Sequence, residues 1–413
     1  MSVFASSFYT VWLLLVGIYT LAIAILLSTP ARKMGRTQLE YFPTVSLVIP
    51  TYNEASVITQ KLDNVLQLEY PSDKLEVMVV DGGSTDSTRE KVKRFADSNF
   101  GRLNLVLIEQ PTRRGKSEAI NQALRLSESE VFALTDADVV VKPEALSNLV
   151  GYLRDRNIGA ASGVEVPIGD RSLMFQVEAG YKSIYAATRM SEAAVDTPLM
   201  CESEFSVFLR NAIAPLKQGC MCDDLELTVN LRSRGMKAVY ASEVPFYERE
   251  AGAVKPKLRH KYRRGMANQH GLLRSSRVLF NKNFGKYGTI IFPYEFFVHI
   301  ISPIVLASAI ALFLTSVIQS PGVFANEAAT AVGSGLLPLI LLQRLTHKYK
   351  TNDILGIRGR LTWLLGAIAF LAFQVVLVAS LAHLALRGPK LQWTQISETR
   401  EPTRAELQTV KAG

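Results

Sequence analysis

Apolar residues are unevenly spread along this chain of 413 residues. The run 8–28 carries no charge and is long enough to cross a bilayer, for which a helix needs about 20 residues. Two later runs, 289–318 and 361–386, read as spans for the same reason. Between them 323–342 is marginal, because it carries Glu327, Gly333, Gly335 and Pro338. The middle of the chain has a different rhythm. Short runs rich in branched residues begin at Val45, Glu76, Leu103 and Val131, the first stopped by Pro50 and the second by Gly82-Gly83. Each reads as a strand buried on both faces. The stretches 54–69, 85–97 and 116–128 are polar on one side and read as helices. Strands alternating with helices predict a parallel, doubly wound sheet, with ligands outside the carboxyl ends of its strands.

These shifts divide the chain into a spanning helix at 8–28, a soluble domain at 44–254, a basic interfacial region at 255–288, the spans around 323–342, and a polar tail at 387–413. Mean hydropathy is +0.15, and 48% of residues are hydrophobic. The basic cluster Arg32, Lys33 and Arg36 follows the first run, whereas a signal peptide carries its positive charge ahead of its apolar region. The order predicts a retained anchor, a multi-pass protein of the cell membrane, and a domain on the cytoplasmic side. Whether three or four segments span stays open.

Net charge is +9, and ten Lys or Arg without an acid lie in 255–286. This exceeds the whole surplus. Because the run ends against an apolar segment, its expected partners are anionic lipid headgroups or a substrate diphosphate rather than nucleic acid. Cys201, Cys220 and Cys222 are too few for a disulfide framework, and no histidine is spaced to complete a zinc site with them. Reduced thiols are expected. Oligomeric state leaves no trace in the pattern.

The candidate chemistry sits at the predicted strand ends. Asp136-Ala137-Asp138 follows a short apolar strand, and two carboxylates on alternate residues suit a hard cation, Mn²⁺ or Mg²⁺, bridging diphosphate oxygens. Alone the tripeptide is weak, since acids are common at turns. Asp81-Gly82-Gly83-Ser84-Thr85-Asp86 ends an earlier strand with a glycine turn and a helix cap, and an ordinary strand-to-helix turn has the same composition. With Val48-Ile49-Pro50-Thr51-Tyr52-Asn53-Glu54 and Arg114-Gly115-Lys116-Ser117-Glu118, these segments come in an order that resembles the family 2 inverting glycosyltransferases of GT-A fold over roughly 44–270.

That resemblance implies an α/β GT-A fold, with a Rossmann-like, mostly parallel nucleotide-binding sheet, joined to an α-helical transmembrane domain. It implies that Pro50, Tyr52, Glu54 and Asp81 hold the nucleoside, with Lys116 near the nucleotide. Asp136 would take the ribose side, and Asp138 the metal and diphosphate. Cys222-Asp223-Asp224 resembles the family's acidic motif, which makes Asp224 the catalytic base, and an inverting transfer does need a carboxylate opposite the leaving diphosphate. Acids also cap helix N-termini, the simpler reading of Asp223 and Asp224. Asp223 and Arg210 are candidates on the acceptor side, though Arg210 reads equally well as a solvated residue.

Polymerising members of the family carry Gln-x-x-Arg-Trp after the base. Here His260-Lys261-Tyr262-Arg263-Arg264 stands instead, keeping the first arginine as a fork for the diphosphate with Arg264 beside it. The missing tryptophan argues against a processive polysaccharide synthase, which stays the alternative. A catalytically silent sugar-nucleotide-binding membrane protein is the reading from another class. The expectation is transfer of a hexose, mannose from GDP-mannose first, to an acceptor linked to polyprenyl (dolichyl) phosphate.

Overall fold

The computed structural model describes residues 3–30, 41–170, 172–250, 253–357 and 360–390. The cluster Arg32, Lys33 and Arg36 and most of the predicted tail lie outside them. The first half of the domain alternates as the pattern requires: β1 (Val45–Thr51), α2 (Ile58–Leu66), β2 (Leu75–Asp81), α3 (Thr88–Ser98), β3 (Asn104–Glu109), α4 (Lys116–Leu126) and β4 (Val131–Thr135) follow α1 (Val3–Ser28). The helices are shorter than expected at 54–69 and 85–97, because each strand-to-helix loop uses several residues before its helix begins. Successive strand residues feed two cores. Val45, Leu47 and Ile49 face α2 and α3, and Val48, Met78 and Val80 face α4. Two-sided burial explains the unbroken apolar runs.

Strand order across the sheet is β3-β2-β1-β4-β7-β6-β8-β5. The chain runs outward from β1 to β3 and then returns to place β4 on the other side of β1, so the β1–β4 seam is the topological switch point where such sheets bind ligands. Pro50 lies in a central strand, normally a poor place for a residue with no N–H. It is tolerated because pairing with β4 covers only Val45 to Val48. Beyond it the seam opens.

The second half is mixed. It comprises β5 (Val140–Val141), α5 (Ala145–Tyr152), β6 (Ile158–Ile168), α6 (Leu173–Val195), β7 (Phe205–Leu209), α7 (Asp223–Ser233) and β8 (Lys237–Arg249). Strand β7 runs antiparallel to both neighbours, and β6 pairs β8 in parallel. The basic run forms α8 (Val254–Arg274), but it is not a uniformly wet face. Lys257 is buried against Glu250 and Glu178. Lys261 pairs with Glu178 at 2.8 Å. From α6, Lys182 pairs with Glu165 and Glu250. The chain thus spends part of its basic surplus inside, joining α6 and α8 to the sheet, where an unpaired charge would be costly. Lys255, Arg259, Arg277, Lys282 and Lys286 remain exposed.

Among the described residues four helices are long and apolar enough to cross a membrane: α1, α9 (Tyr287–Gln319), α10 (Phe324–Tyr349, within Pro321–Tyr349) and α11 (Arg360–Arg387). Pro338 lies inside α10, which continues through it. Helices α1, α9 and α10 pack together through apolar surface and a few polar ties: Tyr19 Oη to Ser302 Oγ at 2.7 Å, and Trp12 Nε1 donating to Ser334 Oγ at 2.9 Å. Helix α11 packs chiefly along α6 and α8. Gln269 of α8 donates to the carbonyls of His299 and Leu377 and accepts from Ser380 Oγ, which clasps α8 between two apolar helices.

Candidate active site

Three loops meet at the open end of the seam. Asn53 takes a positive φ of 56°, which sends its backbone N–H to Ser84 Oγ and its side-chain oxygen to the Thr85 N–H. Glu54 N–H donates to Thr88 Oγ1. The loops after β1 and β2 are therefore stitched together. Gly83, at φ 81°, lies so close to the loop after β3 that an added Cβ would sit 3.2 Å from Arg113 N. The Arg113 guanidinium lies 4.0 Å from the Tyr52 ring centroid, a cation–π contact. Asp81 is fully buried, and its carboxylate accepts from Gly83 N, Ser84 N and Ser84 Oγ. It organises its own turn. A nucleoside reaching it must exchange with those bonds.

Asp136 and Asp138 follow β4 at the switch point. Lys116, at the start of α4, reaches Asp136 Oδ1 at 2.7 Å, lies 3.9 Å from Asp223 and donates to Ser203 Oγ at 2.8 Å. Burial works to lower the Lys116 pKa, but Asp136, Asp223 and Glu204 outweigh it and raise it above its ordinary value. The Asp138 carboxyl is shifted as well. Burial, with the Glu248 and Asp136 carboxylates, pushes it up to about 8.

Asp223 and Asp224 open α7, where the helix N-terminus favours acids. Asp224 Oδ1 accepts the Ser203 N–H at 3.0 Å. Burial and the acids Asp223 and Glu204 raise its pKa well above the usual carboxylate range, against the pull of Lys116. Ser203 therefore holds both Lys116 and Asp224, and joins the Asp136 and Asp224 sides of one polar crevice. Its neighbour Glu204 accepts the Asp136 N–H through its carbonyl at 3.2 Å, and its side chain pairs with Arg264 at 2.7 Å. Arg264 also faces Glu165 and Glu248, each at 3.8 Å. Arg263 lies close enough to Asp136 and Asp138 to feel both charges.

The structure thus brings Lys116, Asp136, Asp138, Asp223, Asp224, Arg263 and Arg264 to one crevice, with Pro50, Tyr52, Glu54 and Asp81 at the end formed by the loops after β1 and β2. Arg210 is not among them. Because β7 runs antiparallel to β4, Arg210 emerges beside Glu130, about 20 Å along the strand from Asp136 at about 3.3 Å per residue. Its Nη2 donates to the Leu124 carbonyl at 2.7 Å. The acceptor-side expectation for Arg210 is corrected accordingly. Ser203, Glu204 and Glu248 were not singled out by the sequence, and the only signal for the first two is a pair of acids on alternate residues before a short strand.

Among the described residues no group of three or more His, Cys, Asp or Glu could hold a metal ion by itself. Asp136 and Asp138 supply hard oxygen donors but no closed cage, so they fit a divalent ion that brings other oxygen ligands with it, such as a diphosphate. The cysteines are free. Burial pushes Cys201 up to about 12 and Cys222 well above its ordinary value, which leaves them unreactive thiols.

Comparison with known proteins gives this crevice a family context. Residues 46–214 match the family described as Glycosyl transferase family 2. A probable glycosyltransferase of Bacillus subtilis (strain 168), YdaM, is 35% identical over 130 residues, 31% of this chain and 31% of that protein. The poly-beta-1,6-N-acetyl-D-glucosamine synthase of Staphylococcus aureus (strain COL) is 22% identical over 201 residues, 48% of this chain and 47% of its own. The matches thus span under half the length of these curated relatives. The mannosyltransferase PcManGT from Pyrobaculum calidifontis, solved in complex with GDP-Man and Mn²⁺, superposes with a TM-score of 0.70 at 24% identity, covering 94% of this chain and 99% of that one. The likeness establishes the shared fold.

Proposed function

From the match of residues 46–214 to glycosyl transferase family 2, we propose that the protein is an inverting, divalent-cation-dependent hexosyltransferase acting on a polyprenyl-phosphate-linked acceptor at the membrane. The observation that carries this reading is the tie through Ser203, which sets Asp224 across one crevice from Lys116 and Asp136. A cation bound by Asp138 and Asp136 with the donor diphosphate would neutralise charge on the leaving nucleotide. Lys116 and Arg263 stand ready on the same side. Asp224 takes the proton of the attacking acceptor hydroxyl, and the charge of Lys116 pulls its raised pKa back down.

Mannose from GDP-mannose, with Mn²⁺, is the donor pairing favoured by the complex in which the Pyrobaculum protein was solved. Arg264 stands where polymerising relatives carry tryptophan, and it faces three carboxylates instead of a sugar ring, which supports a single transfer over processive synthesis. The domain side of the bundle carries Arg344, Lys348 and Lys350, with Lys348 Nζ donating to the Leu27 carbonyl at 2.9 Å. By the positive-inside rule this supports a cytoplasmic catalytic domain.

The direct test offers labelled GDP-mannose, UDP-glucose and UDP-N-acetylglucosamine to the purified protein with a membrane lipid extract, with Mn²⁺ or with EDTA. Label passing from GDP-mannose into lipid only with Mn²⁺ is the expected result. Asp138→Asn is expected to lose the Mn²⁺-dependent part of nucleotide binding, measured by calorimetry, while keeping the metal-free part. Because Asp138 is raised to about 8, a cation must displace a proton below that pH. Affinity for Mn²⁺ should fall by up to about tenfold per unit as pH drops from 8 to 6. Calorimetry in buffers of different ionisation enthalpy counts the proton released.

A further inference from the structure

One buried cation lies outside every role assigned so far. Lys61 is in the middle of α2, only 2% exposed, on the side of the sheet opposite α4. Its Nζ donates to Thr135 Oγ1 at 2.6 Å and to the Val139 carbonyl at 2.8 Å. Those acceptors are the residue before Asp136 and the residue after Asp138. The lysine therefore ties together the two ends of the turn that carries both carboxylates. One helical turn on, Asn64 continues the support: its Nδ2 donates to the Val141 carbonyl, and its Oδ1 accepts the Val141 N–H. Ala137, between the acids, is buried and cannot anchor the turn by hydrogen bonds of its own side chain.

An apolar side chain would fill this place in the core without the cost of burying an ammonium group. That cost is visible: burial pulls Lys61 down to about 7, even though Asp136 and Asp138 favour its charged form. Neither recorded partner is a carboxylate. Pairing does not account for the charge, whereas the location of its two acceptors does.

We propose that Lys61 is a positioning residue of the donor site, fixing the spread of Asp136 and Asp138 so that both reach one diphosphate-bound divalent ion. This rests on reading Asp136 and Asp138 as the ion and diphosphate site. Outer groups that orient metal ligands typically change affinity by about 10- to 100-fold when removed. Lys61→Met keeps most of the volume and removes both hydrogen bonds.

The full-length protein is titrated with Mn²⁺ in the presence of GDP or, in a second arm, UDP, and its melting temperature is recorded alongside. Lys61→Met is expected to weaken Mn²⁺ binding at least about tenfold and to leave metal-free nucleotide binding unchanged. Asn64→Ala cuts the neighbouring tie to β5 without touching the turn, and is expected to lower the melting temperature while keeping wild-type Mn²⁺ affinity. Thr135→Val removes one of the two acceptors at nearly constant shape, and should weaken Mn²⁺ binding in the same direction if Lys61→Met does not fold. Mn²⁺ affinity that is unchanged in Lys61→Met or Thr135→Val, or that merely follows the melting temperature across all three variants, overturns the inference. Wild-type protein with no Mn²⁺-dependent gain in binding either nucleotide overturns the reading of the site itself, and this inference with it.

Discussion

Asp224→Asn is expected to cut transfer by about 10²- to 10⁴-fold, the usual worth of a positioned general base, with nucleotide binding close to wild type. Asparagine keeps the size of the side chain, and its amide oxygen can still accept the Ser203 N–H that orients Asp224. The change therefore removes proton acceptance and little else. Asp224 lies across Ser203 from Lys116, so the Asp136 and Asp138 side is left intact. Single-turnover transfer and Mn²⁺-dependent nucleotide binding, measured on one preparation, separate the two effects. Near-normal transfer would remove the base role from Asp224. It would also turn attention to an acceptor already ionised, a lipid phosphate, which needs no proton removed.

The second large effect is expected far from the crevice. Gly180 of α6 and Gly366 of α11 bring their backbones into contact. A Cβ built at Gly180 would lie 2.1 Å from the Thr362 carbonyl oxygen, and one at Gly366 would lie 2.2 Å from the Gly180 carbonyl carbon. The obstacle in both cases is backbone, which has no rotamer to yield. Gly180→Ala or Gly366→Ala should therefore cost about 3 kcal/mol, the upper part of the range for overpacked sites. In solubilised protein the effect reads as a lowered melting temperature and early loss of the monodisperse peak. Gly17→Ala is the control, because nothing lies within 4 Å of its added Cβ. If Gly180→Ala melts with the wild type, α6 and α11 are not held this close.

The parts of the protein that could be read in advance are those where one physical demand dominates. Strands β1, β2 and β4 are buried on both faces, so their apolar runs are unbroken, and the loops after them carry the acids and glycines that a ligand at strand ends requires. The long apolar helices are legible for the same reason. Strands β6 and β8 are not. Their inward faces carry Glu165 and Glu248, with Glu250 just beyond β8, and Lys182, Lys257 and Arg264 meet these acids from the helices α6 and α8. A buried acid looks like a wet one until its partner is placed. Helix α6 hides in the same way, since Glu178, Lys182, Arg189 and Glu192 are all buried in it.

At the crevice, Asp136, Asp138 and Asp224 announce themselves by type and spacing. Ser203 and Lys61 do not, because a serine in a loop and a lysine in a helix are the commonest of neighbours. Arg210 misled for a related reason: its place between two acidic motifs in sequence says nothing about strand direction, and β7 reverses it. The resemblance to a family supplied the order of motifs, and geometry supplied what each one touches.

The ties between α1 and the later helices also set a timetable. Tyr19 bonds Ser302, 283 residues further on, and Trp12 bonds Ser334, 322 residues further on. At about 5–20 residues per second of synthesis, Tyr19 waits about 14–57 s for its partner to be made. During that interval α1 lacks both of these partners, while every strand of the sheet is completed. Its own uninterrupted apolar surface must keep it in place until the ribosome delivers the rest.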